Sequence, residues 1–209
     1  MLIEAPRSGS PPYAPYLPVA STSPRSAVRI LAISGSLRAS SSNTLLLMAV
    51  AELAPEGVEV VMYGGLGDLP HFNPDLDKAL DDPDLPAQVR DLRTQVGDAD
   101  ALLISSPEYA HGVPGSLKNA LDWLVGGSEM PGKPVALLNA SPRSTHAQAS
   151  LGETLRTMSA DVVPGSPFDA PLERVGAAGR PGAEAEGAIH AALAALARAV
   201  AGAGGERVE

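Results

Sequence analysis

Gly35-Ser36-Leu37-Arg38-Ala39-Ser40-Ser41-Ser42-Asn43 follows the apolar run Val28–Ile33 and precedes Leu45-Leu46-Leu47-Met48. That order reads as strand, small-residue loop, helix. A helix start carries unpaired backbone N–H groups and a partial positive charge, which together make an anion site. Here the start is ringed by hydroxyls, one amide and one arginine, a set suited to a phosphate group. The spacing is neither G-x-G-x-x-G nor G-x-x-x-x-G-K-[ST], so a dinucleotide pyrophosphate or a P-loop nucleotide is disfavoured and a terminal monophosphate suits better. The plainer reading is a serine-rich helix cap with Arg38 in solvent.

Working outward, strands and helices alternate. Strands are expected at Val28–Ser34, Val58–Tyr63, Ala101–Ser105, Pro134–Asn139 and Asp161–Val163. A helix is expected from about Ser41 to Ala54. Asp82-Pro83 reads as the start of the next, with Asp as N-cap and Pro at the first helical position. Leu85, Val89, Leu92 and Val96 then fall on one helical face. Pro114 opens a further helix that Gly126-Gly127 ends. Leu151, Leu155 and Met158 mark another, and an Ala-rich helix spans about Ala183–Val200. Alternation with nearly continuous apolar strands predicts an α/β fold: a doubly wound five-stranded parallel sheet, order 2-1-3-4-5, with helices on both faces. Ligands bind such sheets at the carboxyl ends of the strands. The loops at 34–43, 106–115 and 140–147 are thereby expected to share one site.

The second loop, Pro107-Glu108-Tyr109-Ala110-His111-Gly112-Val113-Pro114-Gly115, has an extended path with exposed N–H groups, fit to lie along the edge of a flat heterocycle. Glu108 is either a general base or a loop-fixing or subunit-contact group, and the latter roles are the simpler ones. His111 is either a proton donor or a solvent-facing histidine. Trp123 reads as core or interface, and Lys118 with Asp122 as an i,i+4 pair without chemistry. The third loop, Ser141-Pro142-Arg143-Ser144-Thr145-His146, offers small polar contacts to a ring, or simply a helix entry.

Composition narrows the partners. The chain has 209 residues, a formal net charge of −9 and no cysteine. The acidic balance argues against nucleic acid, and no basic face suits an anionic membrane surface. Disulfides, thiolate catalysis and Cys-ligated metal are excluded. No apolar run approaches the roughly 18 residues that span a bilayer. With no signal peptide apparent, a cytoplasmic location is the expectation. Residues 1–27, rich in Pro, Ser and Ala with Tyr13 and Tyr16, read as a disordered or subunit-docking arm. Residues 28–203 read as one domain and 204–209 as a tail.

Residues 28–164 resemble the NAD(P)H-dependent FMN reductase family, the flavodoxin-like group that includes chromate and quinone reductases. The resemblance rests on G-S-L-R-x-x-S-x-N at Gly35–Asn43 and on P-E-Y-x-x-G-x-P-G-x-L-K-N-A-x-D-W at Pro107–Trp123. It implies FMN held through its phosphate by Ser36, Arg38, Ser41 and Asn43. It implies that the segment Pro107, Glu108, Tyr109, Ala110, His111 and Gly112 lies beside the flavin ring, with Ser141 as a third contact. It implies NADPH or NADH as co-substrate, a small-molecule electron acceptor such as a quinone, chromate, azo compound or free flavin, no metal, and a homodimer or homotetramer. Hydride transfer is then the flavin's chemistry, and no acid–base side chain is required. Two positions depart from the family pattern. Ala110 stands where Asn is common, and the third loop is Ser-Pro-Arg-Ser-Thr-His where many relatives are glycine-rich, which either narrows the pocket or recruits Arg143 as a contact for the NADPH phosphate. The rival expectations are a flavodoxin-type electron carrier without its own turnover and a flavin-free interaction module.

Overall fold

The computed structural model describes residues 27–141, 143–163, 168–169 and 183–205. Apart from Ala27, the expected N-terminal arm lies outside the described residues, as do residues 206–209. Six strands and five helices are described: β1 Val28–Ser34, α1 Ser42–Glu52, β2 Val58–Met62, α2 Ala87–Asp98, β3 Ala101–Ser105, α3 Gly115–Val125, β4 Pro134–Asn139, α4 Thr145–Thr157, β5 Asp161–Val162, β6 Phe168–Asp169 and α5 Ala183–Gly205. All strand pairings are parallel, and the main path runs β2-β1-β3-β4-β5, the expected order. β6 pairs with β4 as well. It takes Leu138 and Asn139 at one end of β4, whereas β5 takes Pro134 and Val135 at the other. The fifth position of the sheet is therefore split into two short pieces, which the sequence did not announce.

Strand alternation sorts the core into two layers. Leu31, Ile33, Leu102, Ile104 and Val135 face α2, α3 and α4. Ile30, Ala32, Ala101, Leu103, Ala136 and Leu138 face α1 and α5. Every residue of β3 is buried, as a central strand covered on both faces requires. α5 contributes Ile189, Leu193 and Leu196, all fully buried, and runs to Gly205, two residues into the segment assigned to the tail.

The start of α2 differs from expectation. Asp82-Pro83 forms a turn instead of opening a helix: Leu85 N–H donates to Asp82 O at 3.1 Å, and Asp84 N–H to Asp82 Oδ1 at 2.9 Å. Pro86 is the cause. A proline disfavours helical backbone at the residue before it, so the helix cannot run through Leu85. It begins at Ala87 with Pro86 in the cap position. Leu85 is still buried and joins Val89, Leu92 and Val96 in the same core layer.

The irregular stretch after β2 is tied to α3. Asn119 Oδ1 accepts from Phe72 N–H at 2.7 Å, while Asn119 Nδ2 and Trp123 Nε1 both donate to Pro70 O at 2.9 and 2.8 Å. The Trp123 ring is fully buried and meets Phe72 edge-on. Arg93 on α2, only 3% exposed, donates twice to Trp123 O and pairs with Asp77 at 2.6 Å. Trp123 is thus core, and Lys118 with Asp122 forms the exposed i,i+4 pair expected.

Candidate functional site

The register of the sheet brings the three loops together. Ser34 at the end of β1 pairs with Ser105 at the end of β3, and Ser105 pairs with Leu138, one residue before β4 ends. The chain leaves all three strands at one level, so residues 35–43, 106–114 and 140–144 emerge side by side at the carboxyl edge.

Gly35 sits where this packing is tightest. Its N–H donates to Ser105 O at 2.8 Å, and a Cβ there would meet Ser106 Oγ at 2.8 Å and Leu117 Cδ2 at 3.0 Å. From Gly35 the chain turns outward into a ladder of short polar contacts. Ser34 Oγ and Thr44 Oγ1 are hydrogen-bonded at 2.8 Å, Ser36 N–H donates to Ser34 Oγ at 3.4 Å, and Arg38 N–H donates to Ser36 Oγ at 3.3 Å. The Ser36 hydroxyl serves as acceptor there, which leaves its own proton to be donated elsewhere. Ser41 caps α1 by accepting from Thr44 N–H at 3.4 Å. Asn43 is buried, and its Oδ1 accepts from Ser105 Oγ at 2.9 Å, so Nδ2 is the donor it can still offer. Among the described residues, the N–H groups of Leu37, Ala39, Ser40, Ser41, Ser42 and Asn43 donate to no protein acceptor. Arg38 is exposed beside them. These are six free backbone donors, a hydroxyl and a guanidinium at a helix start. The set fits a phosphate monoester dianion.

The second loop is a miniature hairpin. Tyr109 N–H donates to Gly112 O at 3.1 Å and Gly112 N–H returns to Tyr109 O at 2.9 Å. The two residues between them, Ala110 and His111, have φ of 49° and 60°. Both central residues of such a two-residue turn take left-handed backbone, which favours Asn-Gly. An Ala there carries about 1 kcal/mol or more of strain. The bridge consumes the Tyr109 and Gly112 donors. The N–H groups of Glu108, Ala110 and His111 have no protein acceptor among the described residues and are the ones this loop can offer a ring. Tyr109 is 58% exposed.

Glu108 ties the second loop to α4. Its Oε2 accepts from Ala147 N–H at 2.9 Å, in the first turn of α4. A carboxylate on a helix N-terminus is stabilised by the free N–H and by the dipole. The third loop folds on itself: Ser141 N–H donates to Asn139 Oδ1 at 3.0 Å, Arg143 N–H to Ser141 Oγ at 3.4 Å, and Ser144 N–H to Ser141 O at 3.0 Å. Arg143 is exposed at the edge.

The structure therefore gathers Ser36, Arg38, Ser41 and Asn43 in one loop, Pro107 to Gly112 in the next and Ser141 in the third. Three participants were not singled out from the sequence: Ser34 and Thr44, which brace the first loop, and His146, whose ring stacks on that of His111. Serine and threonine at strand and helix ends carry no signal of their own, and His111 and His146 lie too far apart in sequence to suggest contact. A cavity of about 360 Å³ lined by Arg93, Thr94, Gly97, Glu129 and Lys133 lies at the opposite end of the sheet and touches none of these loops. Among the described residues no group of three or more His, Asp or Glu could hold a metal ion, and no helix is long and apolar enough to cross a membrane.

The fold defines a flavodoxin-like α/β protein whose carboxyl edge gathers the three loops. The family model for NADPH-dependent FMN reductase matches residues 28–170. The chain is 38% identical over 133 residues to an NAD(P)H-dependent FMN reductase of Pseudomonas aeruginosa, covering 61% of this chain and 69% of that one. It is 44% identical over 105 residues to a probable NADPH:quinone oxidoreductase of Oryza sativa, spanning 49% of this chain and only 50% of that relative's length. The solved structure of FerB, a flavoenzyme NAD(P)H:(acceptor) oxidoreductase from Paracoccus denitrificans, superposes with a TM-score of 0.68 at 29% identity. It covers 82% of this chain and 98% of that one. The chain belongs to the NADPH-dependent FMN reductase family, a family of flavin-dependent oxidoreductases.

Proposed function

We propose that this chain binds FMN at the carboxyl edge of its sheet and passes hydride equivalents from NAD(P)H to a small acceptor. The observation that carries the reading is the unpartnered donor set of Leu37 and residues 39–43 beside exposed Arg38, one strand away from the free N–H groups of Ala110 and His111. The first set suits a phosphate and the second a ring edge. FMN, when bound, supplies hydride acceptance from a nicotinamide and onward electron transfer.

The chain's own residues bind, orient and polarise. Arg38 and the loop N–H groups take the phosphate, with the Ser36 hydroxyl as a further donor. Ser41 keeps α1 capped so that this donor set stays fixed. Asn43, anchored on Ser105, aligns the first loop with the second and can add its Nδ2. Glu108 holds the second loop against α4, Pro107 leads into it from β3, and the Ala110 and His111 N–H groups stabilise negative charge on the ring edge. Ser141 closes the third side. Arg143 offers a cation to the extra phosphate of NADPH, which favours NADPH over NADH. The acceptor class is that of small planar or anionic oxidants: a quinone, chromate, an azo compound or free flavin. The protein acts as a homodimer or homotetramer in the cytoplasm.

The test is a steady-state assay on purified, FMN-loaded full chain. NADPH oxidation with benzoquinone, ferricyanide or free FMN as acceptor is the expected result, at a lower KM than with NADH. A flavin-loaded protein that turns over neither nicotinamide would instead make it an electron carrier. A protein with no absorbance near 450 nm after FMN addition would overturn the flavin reading altogether.

A further inference from the structure

His111 and His146 stack with ring centroids 4.2 Å apart and planes 9° from parallel. His111 sits in the turn of the second loop, and His146 sits in the first turn of α4. Both are exposed, so the contact is not forced by burial in a core. The same two segments are joined again where the Glu108 carboxylate accepts from Ala147 N–H at 2.9 Å. The two ties bracket the chain from 108 to 111, with Ala110 between them. That interval holds the two left-handed residues, Ala110 and His111, neither of them the Gly or Asn that such a turn favours. A turn of this kind persists only when its surroundings over-determine it; the Tyr109–Gly112 bridge closes the turn on itself, and of its ties to α4 Glu108 holds just one end.

We propose that the stacked pair His111–His146 is a positioning clasp for the flavin ring. It holds the Ala110-His111 turn against α4, so that the free N–H groups of these residues keep one direction toward the ring edge. The proposal rests on the FMN reading above and deepens it. His146 itself touches no cofactor; it acts through His111. Because the tie is ring on ring, a phenyl ring at 146 replaces it, whereas a methyl group does not.

The test uses the full chain with His146→Ala and His146→Phe, and reads FMN affinity, the visible spectrum and reduction potential of bound FMN, and kcat and KM with NADPH and benzoquinone. In His146→Ala the FMN Kd stays within about threefold, since the phosphate loop is untouched. The spectrum and potential shift, and kcat falls roughly tenfold, because donors aimed at a reacting centre lose most of their effect when misplaced by about 1 Å. His146→Phe restores all three. A His146→Ala protein with wild-type potential, spectrum and kcat overturns the proposal, and so does a Phe variant that behaves like Ala. A double-mutant cycle of His111→Ala and His146→Ala in urea unfolding separates this from failure of the flavin reading. Non-additive costs in a protein that binds no FMN mean a clasp without that cofactor; additive costs mean no clasp.

Discussion

At single positions the site is decided by what a side chain excludes as much as by what it offers. Gly35 has no room for a Cβ between Ser106 and Leu117. Gly35→Ala is expected to cost about 1–3 kcal/mol of stability by overpacking and to weaken FMN binding, read by urea unfolding and flavin titration. Arg38 is the charge of the phosphate loop, and charge-assisted hydrogen bonds contribute about 1.5–3 kcal/mol. Arg38→Ala should therefore raise the FMN Kd by roughly ten- to a hundredfold; an unchanged Kd removes Arg38 from the site. Tyr63 presents the opposite case. Its hydroxyl is buried without a partner among the described residues, and burial first, then the Asp91 and Asp68 carboxylates, push its pKa well up. A phenol held neutral in the folded state keeps its full contribution below the unfolded value of about 10 and loses it as pH rises past that point. Tyr63→Phe is expected to be neutral or stabilising at pH 7 and to flatten the loss of stability above about pH 10, measured by unfolding at a series of pH values.

Among the elements, the sequence was legible wherever the signal is local. The serine-rich start of α1, Gly126 at the end of α3 and the core strand β3 are read from neighbours alone. The start of α2 was misread because Asp82-Pro83 and Pro86 both carry helix-start chemistry. Which one governs depends on the restriction Pro86 places on Leu85. Asn119 and Trp123 lie in a motif whose residues could each be called functional. Tertiary structure shows them holding the loop after β2 through Pro70 and Phe72. Glu108 belongs to this scale too, since it joins a loop to a helix 39 positions on. Glu108→Gln keeps the shape and removes the charge. It should cost about 0.5–1 kcal/mol by loss of the helix-terminus interaction, with activity retained. Loss of activity at unchanged stability would restore Glu108 as a general base.

For the whole molecule, the parallel order β2-β1-β3-β4-β5 turns three distant loops into one edge. A ligand that spans two of them stabilises the folded chain as a unit. FMN at about 100 times its Kd should add about 2.7 kcal/mol, raising Tm by roughly 5–10 °C for a chain of this size. Riboflavin, which lacks the phosphate, should raise it far less; equal shifts would mean that the ring alone is held. The sequence by itself determined the alternation of elements, the order of the main strand path and the small-residue loop that opens α1. Hydrophobic period, capping chemistry and small-residue loops are properties of adjacent residues. Only the tertiary structure decided which loop donors are free and which are spent: Tyr109 and Gly112 on each other, Asn43 Oδ1 on Ser105, Glu108 on Ala147. It alone brought His111 onto His146. Those outcomes depend on register between strands and on distances between segments far apart in the chain, which no local pattern encodes.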